Sequence, residues 1–357
     1  MYINVTAYNM KLPEFFGLDI GNHTIKVCEI KWEGTTPKLV AIASQDTPYG
    51  VIGSENEEHQ RQLADHIKKA VVASGIKSRN VVAALPESAI FTRLIPAFPK
   101  LPDSKLSEAI MYEAKKYIPI PPDETNMDYM VVGERKVANE DKLDILIVAA
   151  SKTLVSRYMT ILKMAGLEPL ALETEAIASS RAISSQKGYT KNTTAIVLDF
   201  GANGTDLSVI RDGSLLFSQS LGTGSDAFTR AISVDFGLDF VQAEQYKRAY
   251  GLDDTKAEGK IAKSLIPIMQ VITIEITKTM DFFKSRFVNM VPQKIYLAGD
   301  GAKLPGLSNY LKKLFNLECE LVSPFSNVKL DEKQKKEIEG YSEVGYTVAM
   351  GLALKTE

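Results

Sequence analysis

The sequence predicts an α/β protein made of two related lobes. Three observations carry this: strand-like and helix-like segments alternate along the whole chain, an aspartate followed by a glycine turn between two strands occurs twice, and 357 residues exceed what one hydrophobic core usually serves. A hydrophobic content of 45% with 24% charged residues is that of an ordinary globular protein. With a net charge of −2 and no long run of Lys or Arg, nucleic acid is not an expected partner. Cys28 and Cys319 sit in apolar, strand-like settings without metal or disulfide spacing, as in a reducing compartment. The longest apolar stretches, such as "LDILIVAAS", fall well short of the roughly 20 residues a membrane span needs. The opening "MYINVTAYNMKLPEFF" lacks the basic-then-apolar order of a signal peptide, and a cytoplasmic location is expected.

Element by element, "FFGLDIGNHTIKVCEI" (15–30) reads as strand, glycine turn and strand. "PKLVAIASQDTP" is a further strand. "EEHQRQLADHIKKAVVASG" is a helix with Leu63, Ile67 and Val71 on one face and Gly75 at its end, and "RNVVAALP" is a short buried strand. Between Ser88 and Leu170 prolines collect at 96, 99, 102, 119, 121 and 122 and bracket one helix, "SKLSEAIMYEAKKYI", with Leu106, Ile110, Ala114 and Tyr117 at helical spacing. A strand "KLDILIVAAS" and a helix "TLVSRYMTILKMAG" complete what looks like a small subdomain inserted in the first half. The expected division is 1–87 for the first part of lobe 1, 88–168 for the insert, 169–192 for the return and connection, and 193–357 for lobe 2. The last helix is a candidate for return to lobe 1.

The second half opens with "AIVLDFGANGTDLSVI", which repeats the first hairpin and sets Asp199-Phe200-Gly201 against Asp19-Ile20-Gly21. A third glycine turn, Gly299-Asp300-Gly301, lies in "KIYLAGDGAKLPGLSNYLKKLF", at the carboxyl end of a buried strand, where open α/β sheets bind ligands. Glycines there let main-chain N–H groups approach an anion closely, although any one such turn could be a plain hairpin. The P-loop pattern GxxxxGK[ST] and the dinucleotide pattern GxGxxG at a helix start are both absent. "SLIPIMQVITIEITKTMDFFKSRF" carries Ile266, Met269, Thr273, Ile276, Met280, Phe283 and Phe287 at three- and four-residue steps, the stripe of a core helix rather than a coiled-coil seam. The mixed-charge tract "LDEKQKKEIEG" reads as solvated surface.

These three turns resemble the phosphate 1, phosphate 2 and adenosine motifs of the actin, sugar-kinase and heat-shock ATPase superfamily. The resemblance implies an actin-like ATPase fold, two ribonuclease-H-like lobes with ATP and Mg²⁺ in the cleft between them. It implies metal-side carboxylates at Asp19 and Asp199, and a phosphate-reaching lysine at Lys26. Phosphate donors would come from Gly21, Asn22, His23 and Thr24 and from Gly201, Ala202 and Asn203. A cleft-closing turn would form at Gly222, Thr223 and Gly224, and Glu244 and Lys247 would face ribose and base. Gly299, Asp300, Gly301 and Lys303 would form the third wall. A surface ion pair would equally account for Glu244 and Lys247, and an exposed loop histidine for His23. The second turn reads GANGTD where relatives have GGGT. Glu173 and Glu175 lie where water-activating groups occur in the superfamily, and fast hydrolysis is not expected.

"EAKKYIPIPPDETNMDYMVVG", "KMAGLEPLALETEAIASSRA" and "VGYTVAMGLAL" are similar to the PilM family, FtsA-related actin-like components of type IV pilus machines. The resemblance extends from about Phe16 to Leu354 and implies an FtsA/PilM-type insert. It also implies ATP binding, a grip on the cytoplasmic N-terminal peptide of PilN, and recruitment to the inner face of the cytoplasmic membrane. Tyr117, Ile118 and Ile120 are candidate groove walls, with core packing as the alternative for each. Neither the peptide-binding domain of heat-shock ATPases nor the amphipathic tail of FtsA is expected here. A small-molecule kinase of the same fold and a filament-forming cytoskeletal protein are the alternative functions.

Overall fold

The computed structural model describes residues 12–287, 290–340 and 342–356, so the reading of the first eleven residues lies outside them. In chain order the elements are β1 (Phe16–Ile20), β2 (Thr24–Glu33), β3 (Thr36–Asp46), α1 (Glu57–Ser74), β4 (Asn80–Leu85) and β5 (Ile90–Pro99). Next come α2 (Asp103–Ala114), β6 (Thr125–Val137), β7 (Glu140–Ser151), α3 (Lys152–Met164), β8 (Glu168–Thr174) and α4 (Glu175–Ser185). The second half holds β9 (Thr194–Phe200), β10 (Thr205–Arg211), β11 (Ser214–Leu221), α5 (Ser225–Phe236), α6 (Phe240–Tyr250) and α7 (Lys260–Arg286). It closes with β12 (Lys294–Ala298), α8 (Leu307–Phe315), β13 (Glu318–Leu321), α9 (Glu332–Gly340) and α10 (Thr347–Ala353).

Two five-stranded sheets have the same plan. Lobe 1 is ordered β3-β2-β1-β4-β8 and lobe 2 β11-β10-β9-β12-β13. In each, a three-stranded antiparallel meander is extended by two parallel strands. The central strands read as near-continuous apolar runs because both faces are covered: Phe16 and Leu18 of β1 and Ala195, Ile196 and Leu198 of β9 are fully buried. The helix α1 starts on Asn56, whose side chain accepts from Glu58 N, and stops on Gly75 in the left-handed conformation. The last helix, α10, leaves lobe 2 and packs on lobe 1, where Met350, Ala353 and Leu354 join Cys28, Leu39 and Ile42 in one cluster.

A third sheet, β5-β7-β6, is inserted between β4 and α3. Its outer strands β5 and β6 are absent from the sequence reading. Pro96 and Pro99 look like strand breakers, yet β5 is an edge strand whose register shifts between Ile95 and Phe98, with Ala97 at φ 55°, and an edge bulge tolerates proline. The helix expected over 104–118 stops at Ala114 because Pro119 cannot continue it. Lys116 and Tyr117 N–H groups fall back on the carbonyls of Glu113 and Ala114 in a tighter turn. In α7 the buried stripe runs through Leu265, Met269, Ile272, Thr273, Ile276 and Phe283, and Ile266 is only half-buried. The mixed-charge tract forms α9, mostly exposed, with Ile338 buried and Gln334 and Glu337 half-buried.

Candidate functional site

A cleft of about 1100 Å³ lies between the lobes. Its walls include Gly21, Asn22, His23, Thr24 and Lys26 from lobe 1, Gly201, Ala202, Asn203 and Gly222 from lobe 2, and Gly299, Asp300, Gly301 and Lys303 from the third turn. Asp19, Asp199, Glu175, Glu244 and Lys247 also line it. Thr223 and Gly224 stand behind the wall: the Thr223 carbonyl accepts from Thr205 Oγ1 at 2.7 Å, and Gly224 caps α5.

Each turn is held by its own lobe. Gly21 N donates to Thr24 O at 3.0 Å, and Thr47 clamps the turn from β3's end, its hydroxyl donating to Gly21 O at 2.7 Å and its N–H to His23 O at 2.9 Å. The second turn is fastened to α5: Ser225 N and Asp226 N donate to Gly201 O and Ala202 O, both at 2.9 Å. Gly299 has φ +77°, and a Cβ on it would stand 2.3 Å from Asp199 Oδ1. Only glycine lets the third turn close on the Asp199 carboxylate.

The cleft floor is rich in buried acids. Burial, opposed by Lys26 and reinforced by Asp300, pushes Asp19 up to about 6. Asp199 goes further, to about 8, through burial and then the neighbouring Asp206 and Asp19. Asp206 and Glu175 are raised by burial, Glu175 also by Asp206 and Asp19. Glu87 is pushed to about 7 by burial and Asp206. Glu175 and Glu87 are laced together through main chain: Glu87 N donates to Glu175 Oε2 at 2.9 Å, and Ala176 N to Glu87 Oε2 at 3.2 Å. The Ser218 hydroxyl of lobe 2 donates to Glu87 Oε1, so this pair stands at the junction of the lobes.

Glu173 is absent from the cleft wall. It is 2% exposed and receives Lys355 Nζ at 2.7 Å and Arg181 Nη2 at 3.0 Å, two cations that outweigh burial and hold its carboxyl below the usual range. In a strand, residues two apart share a face, but α4 begins at Glu175 and turns its side chain to the cleft. Glu244 and Lys247 form the expected i,i+3 pair at 2.6 Å, with Lys247 5% exposed and tied to Ser225 Oγ at 2.6 Å and Thr229 Oγ1 at 2.8 Å. His23 is exposed and lies 3.2 Å from Asp226 across the cleft mouth. Ile118 packs partly into the insert's own core with Ile110 and Ile147, Ile120 is half-buried, and Tyr117 is exposed with the Arg93 guanidinium 5.2 Å from its ring centre.

The sequence reading missed Asp206, Glu87, Asp226 and Ser225. Asp206 had a signal: it follows Asp199 by the same interval as Lys26 follows Asp19.

Two lobes of one topology closing on a shared cleft, each offering an aspartate-led turn, define the actin-like ATPase fold. Solved structures agree: MreB5 of Spiroplasma citri bound to ADP superposes with a TM-score of 0.56 over 94% of each chain, at 14% identity. The ethanolamine utilization protein EutJ of Carboxydothermus hydrogenoformans does so with a TM-score of 0.52 over 97% of this chain and 91% of its own, at 15% identity. The model of the family described as type IV pilus assembly protein PilM matches residues 17–357, and the chain belongs to that family. The structure of a PilM-PilN type IV pilus biogenesis complex matches with 30% identity and a TM-score of 0.80, over 96% of this chain and 98% of the other. The cell division protein FtsA of Enterococcus hirae is 21% identical, over 88% of this chain and 79% of its own. Among the described residues no helix is long and apolar enough to cross a membrane.

Proposed function

We propose that this chain is an ATP-binding scaffold of the type IV pilus inner-membrane platform. It would bind Mg-ATP in the cleft and grip the cytoplasmic N-terminal peptide of a PilN-type membrane protein with lobe 1 and the insert. The observation that carries the nucleotide half is the convergence of three glycine turns and two buried aspartates on one cavity large enough for a nucleotide. The likeness to the PilM-PilN complex supports the peptide half.

The residues present suit magnesium nucleotide. Among the described residues no group of three or more candidate ligands could hold a metal by itself. Mg²⁺ with nucleotide needs only one or two carboxylates, since phosphate oxygens and water complete its shell. Asp19 and Asp199 would serve, and because both are protonated more readily than ordinary carboxyls, cation binding would release protons. Lys26 would meet the phosphates, Lys247 and Glu244 would face the ribose side, and Glu175 would orient water for slow hydrolysis at most. A bound Mg²⁺ would supply the positive charge that the Asp19 and Asp199 carboxylates share across the cleft. The peptide would lie against Tyr117 and the turn through Ile118 and Ile120 as a short apolar segment in a groove, bringing the chain to the inner face of the cytoplasmic membrane.

Isothermal titration with Mg-ATP tests the first half: heat for the wild type and none for Asp19→Ala is expected. Fluorescence anisotropy with a labelled PilN N-terminal peptide tests the second, with weaker binding expected for Tyr117→Ala. Absence of heat in the wild type, or undiminished peptide binding by the variant, would refute the corresponding half.

A further inference from the structure

We propose that Asp300 sets nucleotide affinity by clasping Lys26 across the cleft, so that incoming phosphate gains the lysine only as the aspartate gives it up. This rests on nucleotide binding in the cleft as proposed above. Lys26 rises from β2 of lobe 1 and is 7% exposed. Its Nζ donates to Thr24 Oγ1 at 2.8 Å and to Asp300 Oδ2 at 2.7 Å. Asp300 opens the short turn after β12 and belongs to lobe 2. Among the described residues two ion pairs join lobe 1 to lobe 2 across the cleft, and this one holds a buried ammonium, whereas His23 and Asp226 meet at the mouth.

The clasp is built, not incidental. A Cβ on Gly345 would stand 2.3 Å from Asp300 Oδ1 and 2.8 Å from its Cγ, so only glycine at 345 leaves room for the carboxylate where it meets Lys26. Gly299 N donates to Val344 O at 3.3 Å and fastens the turn to the same backing segment. The charged groups around Asp300 are Lys26 and Lys303, and its own charge bears on Asp19 and Asp199. One buried ammonium therefore answers two carboxylates, Asp19 beside it in the β1/β2 register and Asp300 opposite. A triphosphate competes with Asp300 for that ammonium. Because the Asp300 side chain is 47% exposed, water can take over its solvation when the lysine leaves.

The experiment is calorimetric titration of the full chain with Mg-ATP for wild type, Asp300→Asn, Lys26→Met and the double variant. Hydrogen exchange of the nucleotide-free proteins is followed at residues 20–27 and 298–304. Asp300→Asn should bind Mg-ATP about tenfold more tightly, about 1.4 kcal/mol. Lys26→Met should bind it more weakly, and the double variant should match Lys26→Met, because Asp300 acts through the lysine. Without nucleotide, Asp300→Asn should exchange faster at both segments, and Asp300→Gly serves if the asparagine variant misfolds. Unchanged or weakened binding by Asp300→Asn overturns the clasp. If the wild type binds no Mg-ATP, the nucleotide reading fails, and the clasp is then judged by exchange alone: unaltered protection in Asp300→Asn overturns it.

Discussion

The two aspartate-led hairpins have one backbone plan and opposite charge chemistry. In lobe 1, Asp19 pairs across the strands with Lys26; at the same place in lobe 2, Asp199 pairs with Asp206. Burial raises both leading aspartates, but the lysine restrains Asp19 to about 6 while the second carboxylate helps drive Asp199 to about 8. The contrast extends beyond the hairpins, since lobe 1 also neutralises its buried Glu173 with Arg181 and Lys355. The first hairpin thus brings balanced charge to the cleft, and the second brings charge that waits for a cation or a proton. Matched topology fixes where side chains stand, and a single register position decides what they can hold.

The largest effect should come from unbalancing lobe 1. Glu173→Gln strands two cations in a buried site and should cost about 3–5 kcal/mol in urea unfolding; a loss below about 1 kcal/mol would show that the pairing contributes little. Lys26→Met removes the charge that sets lobe 1's hairpin apart from lobe 2's, and with Asp300 half-exposed it should cost less, about 1–3 kcal/mol. Unchanged stability would break the comparison.

The pH profile sharpens it. An Asp199 carboxyl at about 8 in the folded chain, against an ordinary 3.8, binds its proton more tightly than in the unfolded chain, so its contribution to stability falls as pH rises from about 4 to 8. Asp199→Asn cannot ionise and should melt several degrees above wild type at pH 9, with the gain gone near pH 4, in chelated, nucleotide-free protein. Asp19→Asn should behave alike with a smaller gain, complete by about pH 6 to 7. Identical profiles for the two variants would remove the asymmetry. The smallest effect belongs to His23→Ala, whose exposed bond to Asp226 should be worth under about 0.5 kcal/mol by thermal unfolding.

Much of this was legible in the sequence because buried parallel strands announce themselves as apolar runs and glycine turns punctuate them. The strands that lead into the turns at Gly21, Gly201 and Gly299 needed no more than that. What stayed hidden depends on tertiary placement. The strand β5 disguises itself with Pro96 and Pro99, acceptable only at a bulged edge. Glu173 and Glu175 look equivalent on paper, and a strand-to-helix junction sends one to a pair of cations and the other to the cleft. Asp206 was readable by its offset from Asp199, but Glu87 reaches the junction only through the fold. Lys26 was legible as a cleft residue, whereas its bond to Asp300, far along the chain, was not.

The return of α10 to lobe 1 bears on how the chain matures during synthesis. Residues 347–354 cover Phe16's strand and α4, elements made well before them. The first lobe must therefore wait during synthesis with an apolar flank uncovered until residues 347–354 emerge. A message cut short before residue 347 would yield a first lobe with that flank open to chaperones and proteases.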